Sequence, residues 1–233
     1  MSRYTGRIRQ IQLDPRGQPT AWIDCPPAAI PMPGQYLQAW EDSNDQIALP
    51  TSLFSSQISE TGFQCASPIR AAWGPGTELA LYGPLGHGFR LPAGVRRLAL
   101  AALGESVLRL LPLVSPALAQ DAAVALFTDC PLPALPAAVE VSPIAGLPTA
   151  LAWADLLALD LPLARLSTLR QALGMSLGGR LPCPAQALLL SPMPCSGMAE
   201  CGVCAVLSRE RRSQKWKLVC QDGPVIDLAA LEW

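Results

Sequence analysis

Four cysteines in the C-terminal part of the chain have a spacing that constrains the fold more than any other feature of the sequence. They read C-x5-C-x2-C-x15-C, and the four residues are Cys195, Cys201, Cys204 and Cys220. The segment that holds the first three also contains Gly197 and Gly202. Glycine lets a tight loop turn its backbone N–H groups inward, toward bound sulfur. The spacing therefore predicts a metal centre held by these four thiols.

The spacing is close to the plant-type pattern C-x4-C-x2-C with a distant fourth cysteine, which holds a 2Fe-2S cluster. One extra residue in the first gap makes this loop a lengthened form of that pattern. A structural zinc ion is the second interpretation. Zinc sites usually pair two C-x2-C units, and here only Cys201 and Cys204 form one, with no histidine nearby.

Composition restricts the expected cellular compartment and the expected classes of partner. The first residues, 1–7, contain no apolar segment of the kind found in secretory signals, so we expect a reducing cytoplasm in which the cysteines stay free. A net charge of -1 argues against nucleic acid as the main partner. The longest uncharged stretches, 25–40 and 181–199, each carry four prolines. We therefore predict no membrane-spanning helix.

The hydrophobic pattern divides the chain into three parts. Residues 1–93 contain short alternating segments between Pro and Gly turns, which predicts an antiparallel β-barrel. Residues 94–187 alternate apolar runs with helical segments, predicted over 105–120 and 154–173, which is typical of a parallel α/β domain. Residues 188–233 hold the cysteine loop and two short strands. The predicted fold class is α/β plus β, with an N-terminal β-barrel, a central α/β domain and a C-terminal 2Fe-2S loop module.

Three sequence blocks resemble the electron-transfer subunit of the two-component dihydroorotate dehydrogenases, in the ferredoxin-reductase superfamily. They are Pro33-Gly-Gln-Tyr36, the segment 83–89, and the cysteine segment 193–204 with its continuation 216–225. In that family the barrel binds FAD, the α/β domain binds NAD(H), and a 2Fe-2S cluster relays electrons to an FMN-containing catalytic partner. The resemblance implies a cytoplasmic hetero-oligomer of pyrimidine biosynthesis in which this chain carries electrons and has no catalytic residues of its own.

The sequence departs from the family where NAD(H) would bind. Family members have a glycine-rich loop after the first strand of the α/β domain, where a helix N-terminus holds the pyrophosphate. Here the apolar run 98–103 is followed by Gly104 alone, and Glu105 places a negative charge where the phosphates would lie. We therefore expect NAD(H) binding to be lost.

FAD binding stays open at this stage. The family motif Arg-Pro-x-Ser corresponds to Leu49-Pro-Thr-Ser52, so the arginine is missing. Gly74-Pro-Gly-Thr77 is either a second flavin motif or a turn before the strand at 78–82, and we favour the turn. The candidate FAD residues are Thr51, Ser52 and Thr77. A complete NAD(H)-oxidising flavoprotein with FAD and an iron-sulfur cluster remains an alternative function.

The remaining candidates are mostly structural. His87, the single histidine, is interpreted as a solvated turn residue. Isolated cysteines in apolar surroundings are expected to be small buried side chains, namely Cys25, Cys65, Cys130 and Cys183. Apolar residues beside the predicted ligands suggest an interface with a redox partner, namely 192–194, Met198 and 223–226. The basic run 209–217 is either a solvated hairpin tip or a docking site for an acidic partner.

Overall fold

The computed structural model describes residues 2–41, 49–66, 69–176, 179–209 and 216–233. Most of the predicted basic run 209–217 lies outside these ranges. The described strands form a closed barrel, a six-stranded sheet and a two-stranded hairpin. This architecture confirms the predicted fold class.

The N-terminal part is a closed antiparallel barrel with the strand order β1-β2-β5-β4-β3-β6. The strands are β1 (Arg3–Leu13), β2 (Pro19–Asp24), β3 (Tyr36–Glu41), β4 (Thr51–Ser59), β5 (Gly62–Cys65) and β6 (Glu78–Leu85). Alternate side chains such as Leu37, Leu53 and Leu81 are fully buried inside the barrel because successive residues of a strand point to opposite faces. Tyr36 and Phe54 belong to the other face and pack against the second domain.

The second sheet has the order β14-β11-β10-β7-β8-β9. Its strands are β7 (Arg97–Ala102), β8 (Ala123–Phe127), β9 (Val139–Ser142), β10 (Leu156–Pro162), β11 (Ala185–Leu190) and β14 (Val225–Asp227). β9, β8, β7, β10 and β11 run parallel, and β14 is antiparallel to β11. A strand from the predicted cysteine module thus completes the sheet of the central domain.

Two apolar cores cover the faces of this sheet. One joins it to the barrel through Tyr36, Phe54 and Phe89. The other contains residues of the cysteine module, including Cys204, Val206 and Cys220. The module consists of β12 (Ala205–Leu207), β13 (Trp216–Leu218) and the one-turn helix α4 (Val219–Asp222), and β12 pairs antiparallel with β13. The cysteine module therefore lies against the sheet rather than on a separate stalk.

The helical predictions were partly wrong. The helix predicted over 154–173 begins instead as β10, a central strand, and helix α3 covers only Leu169–Ala172. A run that is apolar on every side suits a strand buried on both faces as well as a helix, so periodicity alone does not separate them. In the segment predicted helical over 105–120, helix α1 covers only Val114–Ala119. Helix α2 spans Leu147–Ala150. No helix among the described residues has the length and apolar character needed to cross a membrane.

Candidate iron-sulfur site

The cysteine loop turns back on itself through left-handed backbone conformations. Ser196, Gly197, Ala199 and Gly202 have φ values between 57° and 82°. Two of these are not glycine, and a left-handed conformation is uncommon for other residues. Turns of this kind direct successive N–H groups toward one concave side, which suits an anionic ligand. The loop backbone is thus shaped to surround negatively charged sulfur.

Cys195 lies at the centre of this concave side. Burial raises the pKa of its thiol, but N–H groups of Cys201, Glu200 and Ala199, together with the Cys201 thiol, lower it to about 6. Hydrogen bonds from backbone N–H groups favour the thiolate because they stabilise its charge. The loop therefore favours the thiolate form, which binds metal, at its first cysteine.

Cys204 and Cys220 form a second, buried pair. The N–H of Val219 donates to the carbonyl of Cys204 at 3.0 Å, so the start of α4 is held against the end of the loop. Burial, followed by the hydrogen bond with Cys204 and the charge of that neighbour, raises the pKa of the Cys220 thiol to about 12. Cys195 also lies close enough to influence Cys220. Cys195, Cys204 and Cys220 therefore lie near one another, and Cys201 contacts Cys195.

The four predicted ligands interact in pairs. Cys195 interacts with Cys201, and Cys204 interacts with Cys220. Within the part of the chain that the structure describes, no three His, Cys, Asp or Glu side chains converge closely enough to hold one metal ion. A 2Fe-2S cluster needs four thiolates, and these four cysteines would supply them. The donor set, two thiol pairs on a loop with inward N–H groups, fits that group.

The four isolated cysteines behave differently. Burial raises the pKa of Cys25 to about 11 and that of Cys65 to about 12, and it also raises the pKa of Cys183. Cys130 is partly buried and lies 3.4 Å from the Gly104 carbonyl. Cys25, Cys65 and Cys183 are buried thiols that stay protonated at neutral pH, as expected for structural side chains. His87 is exposed on its loop, as expected.

The structure does not gather the predicted FAD residues into one site. Thr51 and Ser52 are successive residues of β4 and therefore point to opposite faces. Thr51 accepts a hydrogen bond from Arg70 at 2.9 Å, and Ser52 donates to Gln38 at 3.3 Å. Thr77 accepts from the N–H of Gly74 at 3.1 Å and closes the turn before β6.

Two further features bear on a flavin. Leu49 occupies the position of the family's arginine and is 64% exposed. Gln38 is buried, and its side-chain nitrogen has no hydrogen-bond partner. An unpaired amide N–H of this kind can donate a hydrogen bond to a ligand. Position 49 is a leucine, however, and supplies no positive charge to neutralise a pyrophosphate. The residues present thus form only part of the family's flavin site.

The C-terminal edge of the parallel strands carries ion pairs that the sequence reading missed. Arg109 and Asp160 form a bidentate pair at 2.9 and 3.3 Å, and both side chains are at least nine-tenths buried. Burial raises the pKa of the Asp160 carboxyl, while Arg109 acts in the opposite direction. A single charge inside the apolar run 156–162 was the signal for such a partner, because a buried charge must be paired.

A cavity of about 530 Å³ lies at the same edge, between the barrel hairpin and the ends of the parallel strands. Arg16 of the hairpin pairs across it with Glu105 at 3.1 Å. Open α/β sheets bind nucleotides at such an edge, using a glycine-rich turn and a helix N-terminus. Here Val107, Leu108 and Leu110 fill the segment after β7 with buried apolar side chains, and α1 begins only at Val114.

Four large apolar side chains are exposed on the cysteine module. Between 42% and 54% of each is exposed, and they are Met198, Val203, Leu207 and Trp216. Leu207 and Trp216 are directly paired across the hairpin of β12 and β13. In contrast, Val225 and Ile226 are buried within the chain, so the prediction that 223–226 supplies interface surface was wrong. β14 places these residues in the central sheet.

Comparison with solved structures identifies the fold class. The chain is similar to the NADH-dependent reduced ferredoxin-NADP oxidoreductase structure, with a TM-score of 0.71 and 15% identity over 98% of this chain and 90% of that chain. It is also similar to the ferredoxin reductase in carbazole 1,9a-dioxygenase, with a TM-score of 0.59 and 15% identity over 74% of this chain and 65% of that one. An Amycolatopsis cytochrome P450 reductase gives a TM-score of 0.57 at 12% identity, over 74% of this chain and 66% of that chain. The fold is therefore ferredoxin-reductase-like.

A match to a family model makes the assignment of the cysteine module more specific. Residues 192–232 match the iron-sulfur cluster binding domain of dihydroorotate dehydrogenase B, and this segment contains all four predicted ligands. The predicted resemblance is confirmed over this segment, as is the expectation of an iron-sulfur module. No curated protein matches the chain. The assignment of the individual cysteines as ligands stays a prediction.

Proposed function

We propose that this chain is the electron-transfer subunit of an oxidoreductase complex and that Cys195, Cys201, Cys204 and Cys220 hold a 2Fe-2S cluster. The observation that carries the proposal is the match of 192–232 to an iron-sulfur binding domain. The convergence of the four thiols on a loop with inward N–H groups supports it. Such a cluster supplies reversible one-electron transfer when bound.

The partner in this proposal is the catalytic subunit of a dihydroorotate dehydrogenase, which forms a cytoplasmic hetero-oligomer with this chain. That subunit carries FMN and converts the substrate in pyrimidine biosynthesis, while this chain contributes no substrate-converting residues. The exposed apolar side chains beside the cysteines support the idea that the cluster loop lies at an interface. Met198 and Val203 belong to the loop itself, so a partner on them would shield Cys201, which is exposed here.

The proposal assigns different fates to the two nucleotide sites. The ion pairs and buried apolar side chains at the edge of the sheet leave no glycine-rich turn for a pyrophosphate, which supports loss of NAD(H) binding. The described residues of 1–93 form only part of a flavin site, so electron transfer is proposed without a step through FAD. We accordingly divide the chain into a barrel domain (1–93), a nucleotide-binding-like domain (94–187) that serves as a scaffold, and a cluster module (188–233).

Metal and flavin analysis of the natively purified complex tests the proposal. We expect about two irons and two sulfides per chain, visible absorption, and an EPR signal after reduction. Stoichiometric zinc in a colourless protein would contradict it and favour a non-redox assembly subunit. FAD together with NADH-dependent dye reduction by the purified chain would instead favour a complete flavoprotein.

A further inference from the structure

Two barrel segments converge on the turn that carries the fourth predicted ligand. The segments are 33–36, which leads into β3, and 83–89, which includes the end of β6. The turn is 220–225, which runs from α4 to the first residue of β14. The three segments are far apart in sequence. Their contact therefore has to come from the tertiary fold.

Tyr36 makes the most direct of these contacts. It is fully buried, and its hydroxyl donates to the carbonyl of Cys220 at 3.0 Å across 184 positions of sequence. A backbone carbonyl can only accept, so the phenol hydroxyl is the donor of this bond. The ring lies against Phe54 with a centroid distance of 5.8 Å, which fixes its direction. The hydroxyl is thus held in place from the barrel side.

The same hydroxyl also limits the cysteine loop. Gly197 lies beside it, and a Cβ atom at that position would be 2.6 Å from the hydroxyl oxygen. The backbone there has a φ of +82°, which favours glycine in its own right. Tyr36 therefore contacts both the cysteine loop, at Gly197, and the turn that carries Cys220.

The segment 83–89 supports the turn through backbone contacts. The N–H of His87 donates to the carbonyl of Gly223, and the N–H of Val225 donates to the carbonyl of His87 at 3.3 Å. A Cβ atom at Gly86 would clash with Gly223 and Pro224. Gly34 makes a similar close approach, since its Cβ would lie 2.5 Å from a methyl group of Val225. Two barrel glycines and the backbone N–H and carbonyl of His87 are therefore fitted to the ligand-bearing turn.

We propose that the barrel acts as a clamp that fixes the cluster-bearing loop, with Tyr36 as its positioning residue. This inference rests on the proposed function, because it concerns the same cysteines. It assigns a role to a barrel whose flavin residues are not gathered into one site. The clamp sets the position of Cys220 relative to Gly197 and thereby the resistance of the bound metal to removal.

The first experiment compares Tyr36→Phe with Tyr82→Phe in the purified chain with its metal bound. Tyr36→Phe removes only the hydroxyl and leaves the buried ring, whereas Tyr82 is a partly exposed barrel residue next to Trp40. We expect Tyr36→Phe to speed iron transfer to a chelator by about fivefold, the effect of losing one buried hydrogen bond. It should also move the midpoint potential and the EPR line shape, while Tyr82→Phe leaves all three unchanged.

The second experiment is a double-mutant cycle. Gly197→Ala combines backbone strain with a clash against the Tyr36 hydroxyl, so part of its effect should disappear in the Tyr36→Phe background. Gly202→Ala is the matched control, because its φ is +68° but a Cβ there meets nothing within 4 Å. We expect Gly202→Ala to act independently of Tyr36→Phe. The readout in each variant is the rate of metal loss, with thermal unfolding of the metal-free protein measured in parallel.

The outcomes separate the clamp from the function on which it rests. If the wild-type chain binds zinc instead of iron, the proposed function fails, and the clamp is tested by zinc release in the same variants. If Tyr36→Phe loses its metal at the wild-type rate and shows additivity with Gly197→Ala, the clamp is wrong. A lower thermal stability with unchanged metal release and potential also overturns it, because Tyr36 would then be only a core residue.

Discussion

The cysteine module and the edge of the central sheet where the parallel strands end use their polar groups in different ways. In the module, Cys195, Cys204 and Cys220 are brought close to one another, and backbone N–H groups lower the pKa of Cys195. At this edge of the sheet, the charged side chains are paired with each other, as Arg109 is with Asp160. The polar groups of the module surround a thiol, whereas those of the edge pair with one another. The difference teaches that one fold can present polar groups to a candidate ligand at one place and use them for structural pairing at another.

The largest effect should come from the predicted ligands. Cys220→Ala removes one of four thiolates, and we expect iron content and visible absorption to fall by about tenfold or more. Cys183→Ala is the matched control, because that thiol is buried too but its raised pKa keeps it protonated. Both proteins are compared by iron analysis after identical purification. A Cys220→Ala protein with its full iron content would show that Cys220 is not a ligand.

The buried ion pair gives the next largest effect. Arg109→Met leaves the fully buried Asp160 carboxylate without its partner, so we expect a loss of about 3–5 kcal/mol in the free energy of unfolding. Arg109→Met combined with Asp160→Leu should recover most of it, since an apolar pair replaces a desolvated charge. Denaturant unfolding of the metal-free proteins measures both. Equal stability of the single and the double variant would show that the lone Asp160 carboxylate does not destabilise the fold.

The same variant should be sensitive to pH. Burial raises the folded-state pKa of Asp160, and removal of Arg109 takes away the opposing influence. A raised folded pKa gives stability below the unfolded pKa that is lost as pH rises through the folded value. We therefore expect Arg109→Met to approach wild-type stability as the pH falls from 7 toward 4. Unfolding curves at several pH values test this, and a deficit that grows on acidification contradicts it.

The sequence predicted more of the cysteine module than of the edge where the parallel strands end, and the reason is physical. Ligand spacing is local in sequence, so three of the four cysteines and their glycines could be recognised together. The pairing of Arg109 with Asp160 and the contact of Tyr36 with Cys220 join residues 51 and 184 positions apart. Periodicity does not encode such contacts. The same limitation explains the error at β10, whose uniformly apolar residues gave no alternation to read.

A moderate effect is expected at the surface of the module. Met198→Glu places a charge on an exposed apolar loop residue, and we expect roughly tenfold weaker binding of the catalytic partner with the cluster still assembled. Leu13→Glu, on an even more exposed apolar residue of β1, is the control and should leave binding unchanged. Calorimetry with the purified partner gives the affinity, and stopped-flow absorption gives the rate of inter-subunit electron transfer. Wild-type values for both in Met198→Glu would place the interface elsewhere.

The smallest effect concerns Glu105, and it tests whether one charge keeps dinucleotides out of the cavity. The pair with Arg16 is exposed, because 82% of the Glu105 side chain is accessible, so Glu105→Gln should change the free energy of unfolding by less than about 1 kcal/mol. We also expect no NADH binding in this variant. Removing the charge restores neither a glycine-rich turn nor a helix N-terminus, since Val107 and Leu108 stay buried there. Fluorescence titration with NADH provides the measurement. Saturable binding by Glu105→Gln would mean that the edge is still built for a dinucleotide, and that the contrast with the cysteine module depends on a single carboxylate.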